Sequence, residues 1–257
     1  MITRLIKNLF KRLGSTSTHI DQPTTQNNHY NHDGLTSIHN CEFIHDPQFK
    51  QAYARGMQAA QGVDYKWYWR VHVGIWAASV ASKLSGDYVE CGVGNGFLSS
   101  TIMAYLDWNS MDKHFYLFDT FDGIDLRYVE KDKEMYYQNI NEKMKASGIY
   151  AESFSSVQEN FSEWKSVHLV QGAIPETLNA VKIECVSFLH IDMNNPFPET
   201  AAFEYFYEKL TTGGLVLLDD YAYCGHREQK VALDYCAKER NNQILSLPTG
   251  QGLLIKA

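Results

Sequence analysis

Apolar and polar positions change rhythm several times along the chain, and each change marks an expected element. Ile2, Leu5, Ile6, Leu9, Phe10 and Leu13 recur at helical spacing, with Arg4, Lys7, Lys11 and Arg12 between them. This predicts a short basic amphipathic helix over 1–13. Residues 14–40 are rich in Ser, Thr, Asn, Gln and His and carry no hydrophobic period, so a polar linker is expected. Asp46-Pro47 looks like a helix start, with the proline in the first turn. An aromatic segment from Tyr65 to His72 leads into a helix over 73–82, and the stretch 41–84 is expected to cap the domain that follows. From 85 to 257 the rhythm becomes strand and helix in turn. The expected strands end near Glu90, at Asp119, at Gln171, at Asp192 and at Asp219-Asp220. Two more, over 243–247 and 252–256, form a closing pair around Pro248-Thr-Gly-Gln-Gly. Apolar strands separated by helix-length segments predict an α/β, doubly wound parallel sheet, with the last, closely spaced pair antiparallel.

Composition narrows the class. An apolar content of 44% supplies a full core, and 257 residues make one large domain or one domain with extensions. The net charge of −7 argues against a nucleic-acid partner. Cysteines 41, 91, 185, 224 and 236 show no CxxC or zinc spacing, so buried thiols in a cytoplasmic, reducing setting are expected. The basic helix over 1–13 suits weak contact with the inner membrane face; packing on the protein itself is the alternative.

Chemistry concentrates at the strand ends. Glu90 is followed by glycines at 92, 94 and 96, a strand–turn–helix pattern that lets backbone approach a ligand at a helix N-terminus. The dinucleotide fingerprint wants its third glycine one residue later, where Phe97 stands. An acid two residues before the first glycine resembles motif I of class I S-adenosylmethionine (SAM) methyltransferases. Another nucleotide, or a turn with no ligand, stays open. Asp119, followed by Thr120, is placed to accept ribose hydroxyls, or else to cap a helix or turn. Asp192, Asp219 and Asp220 are three carboxylates with no basic neighbour in sequence; they suggest a hard divalent cation such as Mg²⁺, or else helix caps facing solvent.

Together, Tyr88–Val93, Phe118–Gly123, Pro175–Leu178, Asp192 and Gly213–Tyr221 make the chain resemble the metal-dependent sugar O-methyltransferases of the macrocin and mycinamicin type. The resemblance covers residue 85 to the C-terminus. It implies a sheet of order 3-2-1-4-5-7-6 with strand 7 reversed. It implies SAM held by Glu90, Gly92, Gly94, Gly96, Asp119, Thr120, Gln171, Gly172 and Asp192. It also implies Mg²⁺ held by Asp192, Asp219 and Asp220, and a sugar or other small-molecule hydroxyl as acceptor, with a homo-oligomer compatible. The family often carries a basic aspartate two residues after the strand-four ligand, and this chain has Asn194, whose amide cannot take a proton. Asp192 with His226 is the expected catalytic pair, with His72 and His190 as further bases. A nicotinamide oxidoreductase, a lipid-linked acceptor and a non-catalytic SAM-binding role are the alternatives.

Overall fold

The structure, a computed structural model, describes residues 30–257. The amphipathic helix expected over 1–13 lies outside the described residues. Part of the expected linker is ordered: β1 (Tyr30–His32) and β2 (Leu35–Ser37) pair antiparallel around Asp33-Gly34. Both turn residues have positive φ, 52° and 71°, the backbone that closes a two-residue hairpin with matching twist. The polar composition concealed this hairpin.

Helix α1 (Pro47–Ala59) begins as expected, with the Asp46 side chain accepting from the Phe49 amide and proline in the first turn. Helix α2 (Tyr68–Ala81) starts earlier than its apolar run suggests and takes Arg70 into its first turn. The alternation then runs β3 (Asp87–Cys91), α3 (Phe97–Tyr105), β4 (Phe115–Asp119), α4 (Glu134–Ala146), α5 (Phe154–Phe161), β5 (Val167–Gln171), β6 (Val186–Ile191), α6 (Pro196–Tyr207), β7 (Leu210–Leu218), α7 (Arg227–Glu239), β8 (Leu245–Ser246) and β9 (Gly252–Ile255). Seven strands form one sheet in the order β5-β4-β3-β6-β7-β9-β8. The first five are mutually parallel, and β9 runs antiparallel to both β7 and β8. Counted from β3, this is the expected order with its seventh strand reversed. The strand expected over 243–247 shrinks to two exposed residues, because β8 is an edge with nothing packed over it.

Side-chain alternation sorts the core into two layers. Val89, Leu189, Ile191, Val216 and Leu218 face α6 and α7 through Phe203, Phe206, Leu233 and Cys236. Tyr88, Phe115, Leu117, Phe188 and Leu217 face the other way, onto α2, α3 and α5 through Ala78, Ile102, Met103 and Phe161. A third cluster joins Phe49, Tyr53, Val71, Ile75 and Phe97. The dense aromatics near residue 68 are therefore largely core, and α2 belongs to the helical layer on the sheet. Cys91 is buried in the core, whereas Cys185 is partly exposed. Among the described residues no helix is long and apolar enough to cross a membrane.

Helices α1 and α3 meet at Gly56, where an added Cβ would lie 2.1 Å from Thr101 Oγ1 and 2.9 Å from the Phe97 carbonyl. Overpacking of this kind costs about 1–3 kcal/mol. Gly56→Ala is therefore expected to lower the thermal midpoint by roughly 2–10 °C. A midpoint unchanged in scanning calorimetry would mean that the two helices separate freely.

Candidate active site

The site sits at the carboxyl ends of β3, β4, β6 and β7, where open α/β sheets hold ligands. Its floor is the glycine turn. Gly92 has φ +90°, and a Cβ there would lie 1.7 Å from the carbonyl oxygen of Asp192. The glycine is needed because two backbones touch, and it locks Asp192 to the turn; the Asp192 amide also donates to the Cys91 carbonyl at 2.8 Å. Gly96 has φ +86°, and a Cβ would meet the Phe161 ring at 2.5 Å. At both positions the missing side chain makes room for protein, where the sequence suggested room for a ligand.

Asp119 clamps this turn. Its Oδ2 accepts from the amides of Val93 at 2.6 Å and Gly94 at 2.9 Å, and its Oδ1 from the Phe121 amide at 2.6 Å. The Thr120 hydroxyl lies 3.3 Å from Oδ1, but its single hydrogen goes to the Gly123 carbonyl at 2.6 Å. A carboxylate has about four acceptor positions, so one remains open on Asp119. That suits one ribose hydroxyl; the pair expected from sequence would have to displace a turn amide. Burial pushes the Asp119 carboxyl up, against the lowering effect of the Gly94, Phe121 and Val93 amides.

The other acids form a buried chain of alternating charge. Glu90 Oε1 lies 2.9 Å from His190 Nδ1, and His190 Nε2 lies 3.8 Å from Asp219 Oδ1. Arg70 Nη1 donates to Asp219 Oδ2 and, at 3.1 Å, to the Asp219 carbonyl. Arg70 Nε donates to Asp33 Oδ2 at 3.0 Å. Burial opposes charge on His190, but Asp219 and Glu90 outweigh it and push the imidazole up to about 10. Burial likewise opposes charge on Asp219, yet Arg70, His190 and Gln251 hold its carboxyl below the usual range. Among the described residues, Glu90 Oε2 and His190 Nε2 have no hydrogen-bond partner although both are buried.

Asp192 and Asp220 have the opposite surroundings. Burial, then the charges of Asp219 and Asp220, raise Asp192 well above the ordinary carboxylate range. Burial and Asp219 raise Asp220, with His226 and Arg70 opposing. Asp192 Oδ1 lies 3.3 Å from the Asn194 amide nitrogen, which donates to it.

One cavity, partly open to solvent, is lined by Glu90, Gly92, Gly94, Asp119, Thr120, Gly172 and Asp192 among the expected cofactor residues. Gly96 and Gln171 lie off its lining. Arg70, His190, Asn194 and Asp219 line the same space, with Tyr65, Trp67, Tyr128 and Tyr150 as aromatic walls. His226 does not; it sits before α7 with Nδ1 3.5 Å from Asp220 Oδ2 and 2.8 Å from Gln229 Nε2. His72 is stacked on Phe43 at 4.0 Å, and burial lowers its pKa. A base at His72 therefore has no geometry behind it, and His190 already holds its proton.

The three aspartates expected from the sequence to hold Mg²⁺ are not gathered as a ligand set. Among the described residues no group of three or more His, Cys, Asp or Glu side chains is arranged to hold a metal ion. The physical reason is Arg70, with which Asp219 is paired, and which lies 3.7 Å from Asp220. Gln251 Nε2 takes the other Asp219 oxygen at 2.9 Å. Unit charges 4 Å apart at an effective dielectric of 20 interact by about 4 kcal/mol, so the guanidinium offsets part of the attraction these carboxylates would have for a divalent ion.

Sequence reasoning passed over four residues that shape the site. Arg70 drew attention only as part of an aromatic segment. Asp33 stood in a presumed linker, although Asp-Gly is a hairpin signal. Gln251 carried no signal. Glu199, buried in the first turn of α6, accepts from the Met193 amide at 3.3 Å and so fixes the loop after Asp192. Burial, with Asp220, pushes Glu199 up to about 8.

A family model described as Macrocin-O-methyltransferase (TylF) matches residues 73–245. The O-methyltransferase NovP is similar in structure, with TM-score 0.61 and 21% identity over 73% of this chain and 79% of that chain. CalS11, a calicheamicin methyltransferase, is similar with TM-score 0.50 and 15% identity over 85% of this chain and 94% of that one. The SAH-bound Podospora anserina methyltransferase PaMTH1 has TM-score 0.52 and 9% identity over 82% and 88% of the two chains. At these identities the structures speak for the fold. No curated protein matches the chain in sequence.

The charge chain makes stability depend on pH. An unfolded histidine titrates near 6.5, roughly, and His190 is raised to about 10. Its contribution is complete below the unfolded value and lost as pH rises through the folded one. The thermal midpoint is expected to fall more steeply between pH 7 and 10, roughly, in the native protein than in His190→Gln. Parallel curves in differential scanning calorimetry would mean that His190 is neutral.

Proposed function

The chain belongs to the macrocin-O-methyltransferase family, and we propose that it methylates a hydroxyl of a sugar or glycosylated small molecule, with SAM as donor. The observation that carries this reading is the shared cavity: the clamped glycine turn and Asp192 line the same space. CalS11, a calicheamicin methyltransferase, supports an acceptor of natural-product type, and NovP, an O-methyltransferase, supports transfer to oxygen. SAM, when bound, supplies a methyl group on a sulfonium, and its transfer leaves S-adenosylhomocysteine.

The chain's own residues divide the remaining work. Glu90 Oε2, buried and without a partner among the described residues, receives the donor's ammonium group. Asp119 offers its one open position to a ribose hydroxyl. Asp192 takes the proton from the acceptor hydroxyl as the new C–O bond forms and the C–S bond breaks. Its carboxylate lines the cavity where the acceptor hydroxyl would lie, the position a general base needs. Asn194 donates to Asp192 and orients it, which gives the amide a role where the resemblance led one to expect a second acid. His226 serves Asp220, and no proton step is assigned to it. The aromatic walls Trp67 and Tyr128 give the apolar faces of a sugar or aglycone a surface to stack on. Positioning of donor and acceptor at near-attack distance supplies a large share of the rate.

Transfer of labelled methyl from SAM to a panel of glycosylated acceptors tests this reading. Asp192→Asn is expected to lower kcat by roughly 10²–10⁴ while SAM affinity by calorimetry stays within a few-fold. A variant with unimpaired kcat would assign the proton elsewhere, and a native protein that binds no SAM would end the reading.

A further inference from the structure

The resemblance to metal-dependent enzymes and the arrangement of the carboxylates disagree, and the disagreement has a cause on one side chain. We propose that Arg70 is the resident cation of this site, that it holds the acceptor oxygen as a divalent ion would, and that the enzyme works without a bound divalent metal. The inference rests on the methyltransferase reading for what the cation serves.

Every contact of Arg70 fits the role. Its side chain is buried and lines the cavity. Nη1 spends both hydrogens on Asp219, one on the carboxylate and one on the carbonyl, and Nε spends its hydrogen on Asp33. The Tyr223 ring lies 4.8 Å from the guanidinium carbon. Nη2 has no protein hydrogen bond among the described residues, so two donors remain for a ligand oxygen. A planar fork held at three corners presents the fourth in a fixed direction, which an ammonium on a flexible stem cannot do. The neighbouring acids are equally engaged: Asp219 by Arg70 and Gln251, Asp192 by the Asn194 amide. Asp33 acts through Arg70 and is a positioning residue. Its backbone at φ +52° sits at the tip of the β1–β2 hairpin, and Tyr223 Oη donates to its other oxygen at 3.3 Å. The N-terminal hairpin thereby becomes part of the active site.

In the reaction, Nη2 donates to the acceptor oxygen or its vicinal hydroxyl. The guanidinium charge stabilises the negative charge that develops there while Asp192 takes the proton; Arg70 itself neither gains nor loses a proton.

Mn²⁺ binding to the full chain, followed by electron paramagnetic resonance, tests the proposal without an acceptor. The native protein is expected to take up no stoichiometric Mn²⁺, and chelation is expected to leave its methyl transfer unchanged. Arg70→Gln removes the charge, so the freed carboxylates should bind Mn²⁺ at least about tenfold more tightly than the native protein does. Arg70→Lys keeps the charge and should still reject Mn²⁺ while losing acceptor turnover, which covers the case in which Arg70→Gln does not fold. Asp33→Asn should raise the acceptor KM more than it lowers kcat, with Asp33→Glu restoring part of it. One Mn²⁺ per native chain, or activity abolished by chelation and restored by Mn²⁺, would overturn the proposal. Failure of the native protein to bind SAM in calorimetry would instead overturn the methyltransferase reading, and Mn²⁺ uptake would still decide the charge of the site.

Discussion

Five buried charges in alternating order hold this molecule's working end together: Glu90, His190, Asp219, Arg70 and Asp33. They come from β3, β6, β7, α2 and the β1–β2 hairpin, so each link joins a different part of the chain. An isolated charge removed from water is strongly unfavourable, and a pair repays that only with good geometry and further hydrogen bonds. Here the inner members each have an opposite charge on both sides, and Gln251 Nε2 donates to the second Asp219 oxygen. The chain is thus affordable only when complete. That condition ties the hairpin to the sheet and fixes the direction of Arg70, and through His190 it keeps Glu90 turned with one oxygen free in the cavity.

The cofactor turn is held by a second, backbone-based constraint. Gly92 lies against the Asp192 carbonyl, and the Asp119 carboxylate gathers the amides of Val93, Gly94 and Phe121. One side chain and one missing side chain therefore fix three loops relative to one another. Asp192 inherits its position from the turn, and Glu199 holds the loop that follows it. A carboxylate that must meet a reacting hydroxyl gains from being set by backbone contacts, because these leave few soft torsions.

The sheet was legible in the sequence because buried parallel strands are continuous apolar runs and each ends on a polar residue at the ligand edge. Glu90, Asp119, Asp192 and Asp219 could be placed on that edge from strand ends alone. The partners of those acids could not. Arg70 and Asp219 lie far apart in the chain, and sequence proximity misled when it suggested acids without a basic neighbour. Asp33 carried a local signal in Asp-Gly, yet the polar composition around it favoured a linker, since composition averages over a hairpin of so few residues. Edge strand β8 was overestimated because apolar character in Ile244, Leu245 and Leu247 does not require pairing along its whole length. His226 was singled out by spacing from Asp220, and spacing did bring the two together, but neither lines the cavity.

The two outer aspartates of the edge show why residue type alone cannot assign chemistry. Asp219 is buried and Asp192 partly so; they follow the neighbouring strands β6 and β7, and both line the cavity. Arg70, His190 and Gln251 surround Asp219 with donors, so its charge is stabilised and its basicity is spent. Asp192 has only the Asn194 amide, and it feels the charges of Asp219 and Asp220, so its basicity rises. Environments that push like groups apart define an acid–base assignment. By that argument Asp219 suits the anchor of the cation and Asp192 the base proposed above. The same argument explains Asn194: an acid there would add a further negative charge beside Asp192 and Asp220, in a site whose positive charge is already committed to Asp219 and Asp33. The Asn194 amide instead donates to Asp192 and adds no charge to the site.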